Sequence, residues 1–194
     1  MSAENYTGTA LRIILVAREL IQCQGYNAIS FNDIAQQVGI KKPSIVHHFS
    51  SKAELGVAVV QQYRGYFSAF LDEKMAEPDI NALELFDFYC SPYIDFSKSS
   101  NKICLCGALA GEFKALPETV QVEVEQFFKQ HLKWLEQLLR RGEKEGIFAF
   151  SQEIETVAKN IISVLQGALM VKRATNDDKH LEDTIRYLKS SLVA

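Results

Sequence analysis

The chain has 194 residues, 47% hydrophobic and 23% charged, enough apolar side chains for one or two domains with a sizeable core. With 10 Gly and 4 Pro it is neither collagenous nor low in complexity. The formal net charge of −3 argues by itself against a nucleic-acid binder, which is usually basic.

Helical periodicity runs almost throughout. Leu11, Ile14, Leu15, Ala17 and Ile21 recur at helical spacing before a stop at Gly25. Ser30 can cap a second helix, with Asp33 in its first turn and Ile34, Ala35 and Val38 on its apolar face. Ala35 is small enough for another helix to cross closely above it. Gly39 can take the left-handed conformation that ends a helix, Ile40 fills the space beneath the turn, and Pro43 suits the first turn of the next helix. Ile45 and Phe49 then face back to the core. The sequence Ser51-Lys52-Ala53-Glu54 predicts a capping box, with Ser51 as cap and Glu54 reaching back to it.

Further along, Val120, Val124, Phe127, His131, Trp134 and Leu138 form a stripe on a long helix ending near Gly142 to Gly146. Ile154, Val157, Ile161, Leu165 and Leu169 make another stripe, and Leu181, Ile185, Leu188 and Leu192 a last one. No segment alternates long enough for a sheet, so the expectation is all-α, about nine helices and no strands. No run of about 18 apolar residues predicts a membrane span, and Met1–Arg12 lacks the order of a signal peptide. The expected location is the cytoplasm, where Cys23, Cys90, Cys104 and Cys106 would be thiols. They show no zinc-like spacing, and neither metal nor cofactor is expected.

Charge is uneven along the chain. Residues 1–55 hold five Lys/Arg and four Asp/Glu, a net of +1, which leaves −4 for the other 139 residues. Lys41, Lys42, Ser44, His47 and His48 offer donors and positive charge without a carboxylate on the helix after Gly39. Lys52 sits in a first helical turn, where a phosphate meets both an ammonium and a helix N-terminus. Cations for phosphates and short polar groups for base edges suit a recognition helix. On spacing alone, the segment fits equally an ordinary helical hairpin with a solvated polar face.

Residues Gly25–Leu55, GYNAISFNDIAQQVGIKKPSIVHHFSSKAEL, resemble the N-terminal helix-turn-helix of TetR-family transcriptional regulators. The resemblance rests on Gly25-Tyr26, Ser30, Asp33-Ile34-Ala35, Gly39, His48-Phe49 and Ser51-Lys52-x-x-Leu55. It implies a three-helix DNA-binding domain over residues 1–52 and a larger helical effector-binding and dimerisation domain over 53–194. It places DNA contacts on Lys42, Pro43, Ser44, His47, His48 and Lys52, to which the residue reading adds Lys41. The helix-turn-helix core falls on Ile34, Ala35, Gly39, Ile45 and Phe49. Val46 departs from the family's usual Tyr, and Lys41 from a capping Ser or Thr.

The partners implied are double-stranded operator DNA, a small-molecule effector and a second copy of the chain, with no membrane. The stripes of Ile154–Val171 and Leu181–Leu192 would suit a two-fold four-helix interface; the other reading is that they pack on their own domain. Tyr63, Phe67 and Phe70, then Phe86, Tyr89, Cys90 and Tyr93, then Phe113, Phe127, Phe128, His131 and Trp134 fit either a core or a mainly apolar pocket, with Gln166 as a further polar contact. The segment Ile103–Ala110 resembles the Gly-Cys-Leu segment of NemR-type electrophile- and redox-sensing members, which implies a reactive thiol at Cys104. A helix N-terminus and Lys102 would favour its thiolate; a small buried hydrophobe is the other reading. Two rivals stay open. One is a helical-bundle enzyme acting on a small electrophile through Asp87, His131 and Cys104. The other is a helical dimer that binds no DNA.

Overall fold

The computed structural model describes residues 6–98, 102–177 and 179–193. Met1–Asn5, part of the segment expected to lack a signal peptide, lie outside the described residues. Nine α-helices form among them: α1 (Gly8–Gln24), α2 (Phe31–Val38), α3 (Lys42–His48), α4 (Lys52–Met75), α5 (Ala82–Lys98), α6 (Leu105–Gly111), α7 (Glu118–Lys144), α8 (Ile154–Thr175) and α9 (His180–Leu192). A 3-10 turn spans Phe113–Ala115. The described residues hold no strand, only one antiparallel bridge between Phe148 and Val193.

Packing groups the chain into two compact units, Met1–Phe67 with Leu105–Phe127, and Ser68–Cys104 with Phe128–Ala194. Neither unit begins or ends at residue 52, where the sequence placed a boundary. Helices α4 and α7 each run through both units.

In the first unit α1 packs against α2, α3 and α6. Its buried face is Ile13, Ile14, Ala17, Leu20 and Ile21, so Ile13 and Leu20 take the places expected of Leu11 and Leu15. Cys23, expected in the core, is only half-buried. The Arg12 guanidinium donates to the Val38 carbonyl at 2.8 Å, satisfying an acceptor at the end of α2.

In the second unit α8 and α9 pack on each other and both pack on α5. The stripe residues Val157, Ile161, Leu165 and Leu169 of α8, and Leu181, Ile185, Leu188 and Leu192 of α9, are all buried within this one chain. For these residues the packing is on their own unit, the second of the two readings left open by the sequence. Periodicity shows which residues share a helix face but not what covers it. The apolar residues left exposed lie elsewhere on these helices: Val164, Met170 and Val171 on α8, and Tyr187 on α9. With apolar residues on both its buried and its exposed sides, α8 is long and apolar enough to cross a membrane by length and composition alone, a test that the core helix of a soluble protein also passes.

At the end of α7 the Arg141 guanidinium donates to the Met75 carbonyl at 3.1 Å and to the Ile80 carbonyl, tying down the α4–α5 connection.

Candidate nucleic-acid interface and effector cluster

The α2–α3 hairpin forms through local chemistry. The Asp33 N–H donates to Ser30 Oγ at 3.4 Å, and Asp33 Oδ2 accepts from the Ser30 N–H at 2.8 Å, a reciprocal capping box. Gly39 adopts the left-handed conformation at φ 76° and ψ 36°, and both Gly39 and Ile40 N–H groups donate to the Ala35 carbonyl at 3.0 Å. Ile34, Ala35, Ile45 and Phe49 are buried, and Gly39 is exposed at the turn. Helix α3 starts without a side-chain cap at Lys41 and carries Pro43 in its first turn.

Lys41, Lys42, Pro43, His47 and His48 are exposed, Ser44 is partly so, and the apolar Val46 stands exposed among them. Ser51 caps α4 by accepting from the Glu54 N–H at 3.1 Å. The Glu54 carboxylate, however, reaches Ser50 rather than Ser51, accepting from its N–H at 2.8 Å and its hydroxyl at 2.6 Å. The Ser50 hydroxyl offers a second donor that the expected box lacked. Those bonds hold Glu54 below the usual carboxylate range.

Lys52 is half-buried, with its ammonium 4.6 Å from the centroid of the Tyr26 ring. Desolvation pushes its pKa down, while the carboxylates of Glu112 and Asp33 oppose that shift. Sequence reasoning missed Glu112 altogether. Its Oε1 accepts from the Tyr26 N–H at 3.0 Å, and its Oε2 from the Asn27 N–H at 2.9 Å and the Asn27 side-chain amide at 2.6 Å. No periodic pattern marks such a pairing across some 85 residues; the one local signal is the glycine at 25.

The residues expected at an effector site fall into both units. Phe67 and Phe113 belong to the first, where Phe67 lies against Tyr63 with ring centroids 4.7 Å apart. Phe86, Tyr89, Cys90, Tyr93, Cys104, His131, Trp134 and Gln166 belong to the second. Tyr89 is its centre. It stacks on Trp134 with centroids 5.3 Å apart and interplanar angle 15°, and its hydroxyl shares a hydrogen bond with His131 Nδ1 at 3.2 Å. The Gln166 amide donates to the Tyr93 hydroxyl at 3.3 Å, and Tyr93 in turn bonds Tyr89. Burial pushes the Tyr89 phenol far up and the Cys90 thiol up to about 12, and pushes His131 down to about 4. All three are therefore neutral at pH 7.

Cys104 immediately precedes α6, is 3% exposed, and lies near enough to Tyr89 to influence it electrostatically. The Trp134 indole Nε1 is buried and finds no acceptor among the described residues. His131 and Trp134 also line a cleft of about 230 Å³ with Ser68, Leu71, Asp72 and Gln137. Phe86, Tyr89 and Tyr93 are packed as core instead.

Two members of the enzyme-like trio are engaged by other residues. Asp87 is exposed and paired with the Lys189 ammonium at 2.6 Å, while His131 is buried against Tyr89. No group of His, Cys, Asp and Glu among the described residues could hold a metal ion.

Residues 13–59 match the family model described as bacterial regulatory proteins, tetR family, and residues 86–188 match that of the tetracyclin repressor-like C-terminal domain. The crystal structure of a TetR transcriptional regulator from Legionella pneumophila is 33% identical, covers 97% of this chain and 99% of its own, and superposes with a TM-score of 0.85. A TetR-family regulator from Agrobacterium tumefaciens is 32% identical, covers 96% and 98%, and gives a TM-score of 0.90. The HTH-type transcriptional repressor NemR of Escherichia coli is 18% identical over 190 residues, 94% of this chain and 92% of that protein. With an all-helical fold and a helix-turn-helix built as its sequence required, this chain belongs to the TetR family of bacterial transcriptional regulators.

Proposed function

We propose that the protein is a one-component repressor that binds a palindromic operator as a dimer in the cytoplasm and lets go when a small apolar or electrophilic effector engages the second unit. Residues 1–52 supply the DNA-binding function, and 53–194 the effector-binding and dimerisation functions. The observation that carries the reading is the surface around the Gly39 turn, where Lys41, Lys42, Pro43, His47 and His48 stand exposed on or beside a short helix whose own core is closed. Lys42 and Lys52 meet phosphates, and Ser44, His47 and His48 reach base edges or the backbone. One seven-residue helix offers few contacts. Two copies about 34–36 Å apart on the duplex double them. The exposed Val164, Met170 and Val171 of α8 and Tyr187 of α9 are the surface on which the copies meet.

The effector acts on the Tyr89 cluster. Its packing is closed, so a molecule that enters must displace a ring, and the unpaired Trp134 N–H rewards one that brings an acceptor. Modification of Cys104 would disturb the same cluster, because the thiol is buried in the same unit and near enough to Tyr89 to act on it electrostatically. Either event lowers operator affinity only by favouring the conformation that does not bind. Catalysis has no part in this reading. That NemR is named a transcriptional repressor supports the sign of regulation.

The test is fluorescence anisotropy of the purified protein with duplexes from its own upstream region, with and without reductant. Saturable, salt-sensitive binding to one palindromic duplex is the expected result. Failure to bind any of them would leave a helical dimer that acts through protein partners.

A further inference from the structure

We propose that Glu112 is a positioning residue for DNA binding, which holds the α1–α2 turn so that Tyr26 carries the Lys52 ammonium at the phosphate backbone. The inference rests on the reading of Lys52 as a phosphate contact. The carboxylate lies in a nest built for it: the consecutive N–H groups of Tyr26 and Asn27 and the Asn27 side-chain amide donate to it at 3.0, 2.9 and 2.6 Å. The nest exists because residue 25 is glycine. Its φ is +90°, and a Cβ there would lie 1.9 Å from Glu112 Oε1, so any other residue would expel the carboxylate.

What the nest holds is the Tyr26 backbone, from which the buried Tyr26 ring projects. One side of that ring packs so closely on α4 that a Cβ at Gly56 would come within 2.9 Å of it. The ring also carries the Lys52 ammonium, 4.6 Å from its centroid. Glu112 thus sets the geometry of the α1–α2 turn, of the first turn of α4 and of one DNA-facing cation, without pointing at DNA itself. Released from the nest, Tyr26 would lose its backbone tether. Lys52 would then have to be ordered at the moment of binding, which weakens the complex.

The direction of the effect separates this role from simple electrostatics. Glu112 is a negative charge near a phosphate-binding lysine. If it acted only through its charge, neutralising it would tighten DNA binding. Positioning predicts the opposite.

The experiment compares wild type, Glu112→Gln and Lys52→Ala on the same operator duplex across a salt series, and follows the Lys52 Hε resonance, which the Tyr26 ring shifts upfield. Glu112→Gln keeps the shape and one acceptor oxygen but loses the charge and presents an amide to the remaining donors. It should weaken binding about tenfold, leave the salt slope at the wild-type value, and move the Lys52 Hε resonance toward that of a free lysine. Should Glu112→Gln lower the melting temperature, Asn27→Ala, which removes only the side-chain bond, should move affinity and resonance the same way by less. Equal or tighter binding by Glu112→Gln, or an unmoved Lys52 resonance, overturns the positioning role. A wild-type protein that binds no DNA, or a Lys52→Ala variant with an unchanged salt slope, overturns the DNA-contact reading beneath it and this role as well.

Discussion

Acid should destabilise this protein through His131. The residue is 6% exposed, and burial holds its imidazole at about 4, against 6.5 for an ordinary histidine. Between those two values the unfolded chain takes up a proton that the folded chain refuses. Stability from this residue is therefore complete above pH 6.5 and is lost as the pH falls toward 4. At 1.36 kcal/mol for each of the roughly 2.5 pH units between the two values, the loss is about 3 kcal/mol. A domain of ordinary stability has about 5–15 kcal/mol in all, so the effect is large. The assay is urea unfolding followed by far-UV circular dichroism from pH 7.5 to 4.5, on wild type and His131→Leu, at one fixed protein concentration because any self-association adds to apparent stability. The variant loses the Tyr89 partner and is the less stable protein at pH 7.5. It has no histidine to protonate at 131, so the gap between the two proteins should shrink as the pH falls. Carboxylates held low by hydrogen bonds or ion pairs, such as Asp33, Glu54 and Glu155, titrate alike in both proteins and drop out of the difference. A gap that stays constant from pH 7.5 to 4.5 would refute a neutral, desolvated His131.

The exposed side of α8 and α9 gives a second prediction: Val171→Glu with Tyr187→Glu should lower dimer affinity by about tenfold or more in sedimentation equilibrium, and an unchanged mass distribution would move the interface elsewhere. Tyr187 is 71% exposed in the single chain, so its replacement leaves the fold itself intact. Cys104→Ser should keep the operator bound in the presence of hypochlorite or an electrophile that releases wild type; release of both proteins alike would remove the thiol from the switch. Gly142→Ala should cost about 1–3 kcal/mol of stability, seen as a lower melting temperature, because the new Cβ would fall 2.0 Å from the Phe148 ring. An unchanged melting temperature would mean that Phe148 is free to move.

The helix-turn-helix was legible in the sequence because the interactions that build it are short in range. Ser30 and Asp33 satisfy each other three residues apart, Gly39 ends α2 with a bond to Ala35 four residues back, and Pro43 starts α3. Each choice is made by residues within one turn of the next, so order and spacing alone specify the result. Only tertiary structure decided three other matters. The apolar stripes of α8 and α9 face into their own unit, since a period of 3.6 residues identifies a face but not its neighbour. The Tyr89–His131 pair joins residues 42 apart, and the resulting neutral imidazole depends on burial that no local pattern announces. The Glu112 nest joins residues 85 and 86 apart, where one backbone conformation at Gly25 admits a carboxylate that sequence spacing could not have placed there.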